Sequence, residues 1–224
     1  TITGEIVNVA LVGLTLAKPD AGCTLAAVDV ADERDPNEKA IALSRQPVVE
    51  ESQLDQLDNP DSRISFGILS EAPQLATAAI SMRGIVSGDG ACWYRQFWEL
   101  PQMTSTWKPL QTTIATTQLF GGRDQVINWS TAGNGMLRPG TANLAYGKCG
   151  VALGQVGHLP ATLYTGELYD NNTGVIVPLA GISLPALWAF CSSEKFAVEV
   201  RRLDQAMKVT NATFLKIPFE HALW

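Results

Sequence analysis

The chain has 224 residues, 46% hydrophobic and 17% charged, enough apolar text for one large domain or two small ones and too little charge for a disordered tail. Its net charge of −6 is laid down unevenly: residues 1–62 hold four Lys/Arg against twelve Asp/Glu, a balance of −8, and residues 63–224 carry +2. A basic nucleic-acid tail and an acidic solvating tail are both excluded, and any contact with a phosphate backbone falls to the later part.

In chain order, GEIVNVALVGLTLA (4–17) reads as a buried strand. A turn at Pro19, Asp20 and Gly22 and a second apolar run, TLAAVDV, follow, so a hairpin of a larger sheet is predicted. Asp35 before Pro36 signals a helix N-terminus, and Pro47 closes a short helix. The acidic text EESQLDQLDNPD (50–61) reads as a linker, which puts a domain boundary between residues 62 and 63. Beyond it SEAPQLATAAI predicts a short helix. A β-rich middle follows in MRGIVSGDG, QFWEL, WKPLQTTI, DQVINW, GVALGQV, ATLYTGELY and TGVIVPL. Residues 171–193 are uncharged over a membrane-spanning length, but Pro178, Gly181, Ser183 and Pro185 break them into a strand, a turn and a helix. After Ser193, Phe196, Val200, Leu203 and Met207 recur at helical spacing, and VTNATFLKIPF reads as a closing strand.

The chemistry-bearing residues are few. Cys23, Cys92, Cys149 and Cys191 lie 69, 57 and 42 residues apart, too far for zinc-ligand or thiol-exchange spacing, and read as reduced core thiols. With only His158 and His221, a His-rich metal centre is excluded, and a hydrolase would have to use one of these two, His158 being the candidate base. Glu99, Glu167 and Asp170 are the carboxylates a glycosidase reading would need, but nothing else in the chain supports sugar chemistry. Sequons at Asn128, Asn171 and Asn211 matter only in a secreted chain, and the sequence starts at Thr1 with neither a Met nor a charged-then-apolar signal peptide. The opening at Thr1 reads as the interior of a longer protein.

Six tryptophans with Tyr94, Phe97 and Tyr146 offer either stacking surfaces for bases or core rings, and alternation through WYRQFWEL (93–100) assigns at least half of that segment's rings to the core. GIVSGDGACW, with three glycines in seven residues, reads either as an anion-approaching loop or as a tight turn. Arg123 after two glycines and Lys148 between two more sit on predicted loop tips. The candidate phosphate contacts are Arg95, Arg123, Lys148 and Lys208, and the candidate base-reading amides are Gln155, Asn171 and Asn172. Each is also an ordinary solvated or turn residue. No catalytic or metal-binding residue is assigned.

Taken in order, GIVSGDGACWYRQFWELP, WKPLQTTIATTQLFGGRDQVINW, YGKCGVALGQVGHLPATLYTGELYDNNTGVIVP and LPALWAFCSSEKFAVEVRRLDQAMKVTNATFLKIPF resemble the C-terminal part of large bacterial adenine-specific DNA methyltransferases. These belong to type IIG restriction–modification and BREX-like phage-defence systems and have a TaqI-like specificity region. The resemblance covers most of residues 64–219, and the opening GEIVNVALVGLTL is similar to the late hairpin of the methyltransferase sheet.

It implies an α+β fold: a β-rich target-recognition domain (63–224) with C-terminal helices, preceded by a remnant β-hairpin ending the methyltransferase domain (1–62). It also implies a cytoplasmic protein, double-stranded DNA as partner, and S-adenosylmethionine as cofactor of the parent enzyme. The family's Asn-Pro-Pro-aromatic motif is absent, since Asn59 and Pro60 are followed by Asp61, and no cofactor loop is present. The fragment is therefore expected to recognise DNA without methylating it. The rival reading is a protein-interaction module that docks another subunit of the same system through the apolar helices from Leu184 to Met207.

Overall fold

A computed structural model describes residues 10–18, 20–30, 33, 35–58, 64, 66 and 72–224. The fold is α+β, and the chain divides into two compact units, Thr1–Ser70 and Glu71–Trp224.

In the first unit, strand β1 (Thr24–Ala27) is followed by helix α1 (Pro36–Arg45) and strand β2 (Val49–Ser52). The Asp35 carboxylate accepts the N–H groups of Asn37 and Glu38, and proline takes the first helical position. The expected opening hairpin is corrected here. Strand β1 pairs antiparallel with β2, Thr24 opposite Ser52, and β2 lies in text expected to be a linker. Residues 10–18 form no strand, and Leu11, Val12, Leu14 and Leu16 are exposed; the start of that run lies outside the described residues. Apolar text makes a buried strand only where a second layer covers it. Among the described residues of this unit no apolar side chain is buried.

The second unit holds two four-stranded sheets. The first contains β3 (Ala79–Met82), β7 (Gly150–Gly154), β8 (Ala161–Tyr164) and β10 (Thr173–Pro178), in the order β3-β10-β7-β8, all antiparallel. The second contains β4 (Tyr94–Gln96), β5 (Trp107–Gln111), β6 (Gln125–Asn128) and β9 (Leu168–Tyr169), in the order β4-β6-β5-β9, with β5 and β9 parallel. Between β3 and β4 lies the one-turn helix α2 (Gly90–Trp93), whose cap is the Asp89 carboxylate. The glycine-rich GIVSGDGACW is thus a capped turn.

Alternation along the first sheet sends Val151, Leu153 and Ile176 to one face and Ala152, Val175 and Val177 to the other, and both faces are buried. Helices α3 (Leu184–Cys191), α4 (Glu194–Leu203) and α5 (Asn211–Leu215) supply Leu187, Phe190, Phe196, Val200 and Phe214 to the first of these cores. The uncharged run 171–193 becomes β10, a turn and α3, as its breakers predict. Among the described residues no helix is long and apolar enough to cross a membrane.

Five further expectations are corrected. The helix expected in SEAPQLATAAI is a single 3-10 turn, Leu75–Thr77, running into β3, because pairing of 79–82 with β10 overrides local propensity. QFWEL is a 3-10 turn at Phe97–Glu99, held by Gln96 N–H on the Glu99 carboxylate at 2.7 Å. Helix α4 stops at Leu203 and Met207 is exposed. The Asp204 carboxylate turns the chain by accepting Ala206 N–H at 3.0 Å and the Thr213 hydroxyl at 2.9 Å. The closing VTNATFLKIPF contains α5 in place of a strand. Of the four cysteines only Cys191 is buried; Cys92 and Cys149 are exposed, Cys23 is half-buried, and all four are free thiols.

Candidate functional site

The chain crosses from the second sheet to the first at Asp170–Asn172, the turn between β9 and β10. Backbone and side chains of this turn close it: Thr173 N–H donates to Asp170 O at 3.2 Å, and the Thr173 hydroxyl donates to the Asp170 carboxylate at 2.6 Å. The segment leaving β3 lies directly against it, with Ile85 N–H on Tyr169 O at 2.8 Å. Gly84 permits the approach, since a Cβ there would stand 2.1 Å from Asp170 O. Arg83 and Asn171 are thereby brought together, the guanidinium Nε donating to Asn171 Oδ1 at 2.8 Å.

The segment after α4 completes the site. Val209 N–H donates to Gln155 O at 2.9 Å, which sets Lys208 and Asn211 beside the end of β7. Lys208 Nζ donates to Asn171 O at 3.1 Å and to Asn172 Oδ1 at 2.9 Å. Gln155 Nε2 donates to Asn211 Oδ1, and Asn211 Nδ2 donates to Met82 O, both at 2.5 Å. These groups line a cleft of about 380 Å³, its walls formed by Arg83, Gln155, Asn171, Lys208, Thr210 and Asn211. Two cations on a frame of amides suit an anionic ligand that also presents hydrogen-bonding edges.

Of the seven residues expected to contact nucleic acid, the fold brings four together here: Lys208, Gln155, Asn171 and Asn172. The other three stand elsewhere. Arg95 is exposed, with its guanidinium turned back onto Ala91 O and Tyr94 O at 2.5 and 2.6 Å. Arg123 is built into the scaffold. It pairs with Glu167 at 3.2 Å, donates to Leu163 O at 2.7 Å and lies over the Phe120 ring at 5.5 Å. Lys148 is exposed on the turn after Tyr146, and Gly147 of that turn donates its N–H to Gly166 O at 2.9 Å. His158 is exposed between β7 and β8. Arg83 carries no loop signal in the sequence and is not among the candidates; Asn211 is an amide of the type that reads bases, but it sits in text that reads as strand and is not in the assigned set.

Two carboxylates respond to their surroundings in opposite ways. Burial alone would raise the Glu167 carboxyl, but the Thr165 hydroxyl, a backbone N–H and the Arg123 charge hold it below its ordinary value. Burial raises the Asp170 carboxyl above its ordinary value, a shift only partly offset by the Thr173 and Asn172 hydrogen bonds and the Lys208 charge. A carboxyl whose folded pKa is raised adds stability that is complete below the unfolded value of about 3.9 and is lost as pH rises through the folded value. Asp170→Asn is therefore expected to gain stability over the parent at pH 7, with the difference shrinking as pH falls toward 4. Urea unfolding of both chains across that range checks this, and a difference that grows on acidification would refute it.

Compared with known proteins, the chain matches no protein-family model and no curated protein sequence.

Proposed function

We propose that the Glu71–Trp224 unit recognises DNA, as the target-reading part of a cytoplasmic adenine-specific DNA methyltransferase of a restriction–modification or phage-defence system. The observation that carries this reading is the cleft in which Arg83 and Lys208 flank the amides of Gln155, Asn171 and Asn211. Cations neutralise phosphates and set the register of a protein on DNA, while amides of this kind read base edges. The ordered resemblance of four segments to the methyltransferase specificity region supplies the parent activity. Residues 1–62 then belong to the end of the methyltransferase domain.

S-adenosylmethionine does not fit this cleft. Its sulfonium carries a positive charge, and the walls already hold two cations. In this reading the cofactor and the transfer of its methyl group belong to the missing part of the parent enzyme, and the present unit fixes where an adenine is presented. The rival docking role for the helices draws little support, because α3 and α4 spend Leu187, Phe190, Phe196 and Val200 on their own core.

Binding of a fluorescent 30-base-pair duplex, followed by anisotropy between 50 and 200 mM salt, tests the proposal. Lys208→Ala and Lys148→Ala are each expected to weaken binding to all sequences alike and to lower the slope of log K against log salt by about one. A duplex affinity that does not fall with salt, or a slope unmoved by Lys208→Ala, would sink the DNA reading. A slope moved by Lys208→Ala alone would confine the contact to the cleft and exclude the Lys148 turn.

A further inference from the structure

The cleft's polar groups have their donor and acceptor roles fixed by one backbone atom. Met82 O only accepts, so the Asn211 atom 2.5 Å from it is the amide nitrogen. That leaves Asn211 Oδ1 to accept, and the Gln155 atom 2.5 Å from it is Nε2. What remains of the Gln155 amide is therefore its oxygen. Gln155 is 4% exposed, and Oε1 is buried without a hydrogen-bond partner among the described residues. A buried acceptor in this state gains from a ligand that brings a donor.

The cations have donors to spare. Arg83 uses Nε on Asn171, and neither of its Nη groups has a hydrogen bond within the described residues. Lys208 spends two of its three protons on the Asn171–Asn172 turn. Gln155, whose amide oxygen is left without a partner, thus lines the same cleft as the cations with unspent donors. Its volume of about 380 Å³ suits one small molecule or a single nucleotide of a bound strand.

We infer that the cleft binds a single amino-bearing nucleotide, an adenine or cytosine whose exocyclic amine donates to Gln155 Oε1 and whose phosphate lies on Arg83 and Lys208. This deepens the DNA reading and rests on it for one source of the ligand, a nucleotide unpaired from its strand. A free nucleotide offers the same chemistry. Bases with a keto group at that position, uracil and hypoxanthine, set one lone pair against another.

Isothermal titration of the 224-residue chain with AMP, CMP, IMP, UMP and adenosine tests the inference on the unmutated protein. AMP and CMP are expected to bind at least tenfold more tightly than IMP and UMP, and adenosine at least tenfold more weakly than AMP. Lys208→Ala, a change at an exposed side chain, is expected to weaken AMP at least tenfold and so to narrow the gap between AMP and adenosine. Equal binding of the four nucleotides, or of none, overturns the inference. A duplex with one extrahelical adenine preferred over its fully paired counterpart identifies a strand as the source; no preference, with AMP still bound, identifies a free nucleotide. Lys208-dependent duplex binding without discrimination among the four nucleotides would remove this inference and keep the DNA reading. AMP binding without duplex affinity would do the reverse.

Discussion

Phe190→Ala is expected to remove about 3–5 kcal/mol of stability from the Glu71–Trp224 unit, the range for truncating a fully buried aromatic side chain. Phe190 is completely buried, and its ring meets those of Phe196 at 5.4 Å, Phe219 at 4.9 Å and Trp224 at 5.2 Å. Truncation leaves a void that these rings cannot all close, because each comes from a different segment with its own backbone anchor. Phe219 N–H is tied to Pro73 O at 2.8 Å, and Phe196 N–H to the Ser193 cap at 3.2 Å. With a urea slope of roughly 1–3 kcal/mol/M, the unfolding midpoint should fall by more than 1 M. Trp98→Ala, at a ring 62% exposed, is the control and should cost little. A loss below about 1 kcal/mol for Phe190→Ala would mean that α3 and the C-terminal segment do not pack as described.

That core was largely legible in the sequence. Phe196 and Val200 stand at helical spacing behind a serine cap, and Val151, Leu153 and Ile176 alternate in strands short enough to be bounded by glycine and proline. Where local text competed with long-range pairing, it misled. The text ATAAI (76–80) is alanine-rich and helix-like, yet β10 offers residues 79–82 a ladder more than 90 residues away that a local window cannot see. The Asp204 turn shows the opposite case. The apolar spacing runs on to Met207, and one carboxylate with two local partners ends the helix anyway.

The site was legible only as a set of residue types. Lys208, Gln155, Asn171 and Asn172 were marked because cations and amides suit nucleic acid, and the same reasoning marked Arg95 and Arg123, which the fold engages elsewhere. The difference lies in which acceptors surround each cation. Arg123 finds a carboxylate and a carbonyl in its own scaffold, whereas Lys208 and Arg83 meet neutral amides and keep donors unspent. No spacing rule joins residues 83, 155, 171, 208 and 211. They meet because the β9–β10 crossing, the exit of β3 and the start of α5 converge.

The glycine at that convergence gives the second large effect. Gly84→Ala is expected to cost about 3 kcal/mol and to abolish nucleotide binding even where the protein remains folded. A methyl group at this position would lie 2.1 Å from Asp170 O, 2.5 Å from Asp170 C and 2.7 Å from a Tyr169 ring carbon. Two of the three are backbone atoms and have no rotamer to change, so the strands must separate. Separation weakens the Ile85 N–H bond to Tyr169 O and moves Asn171 away from Arg83, dismantling one wall of the cleft. Gly157→Ala distinguishes this from ordinary glycine loss. Its φ of +67° strains an alanine, at roughly 1–3 kcal/mol, but nothing lies within 4 Å of the added methyl group. Both variants lose stability; only Gly84→Ala should also lose AMP affinity, measured by titration well below its unfolding temperature. Retained affinity in Gly84→Ala would show that the junction of the two sheets does not hold the cleft together.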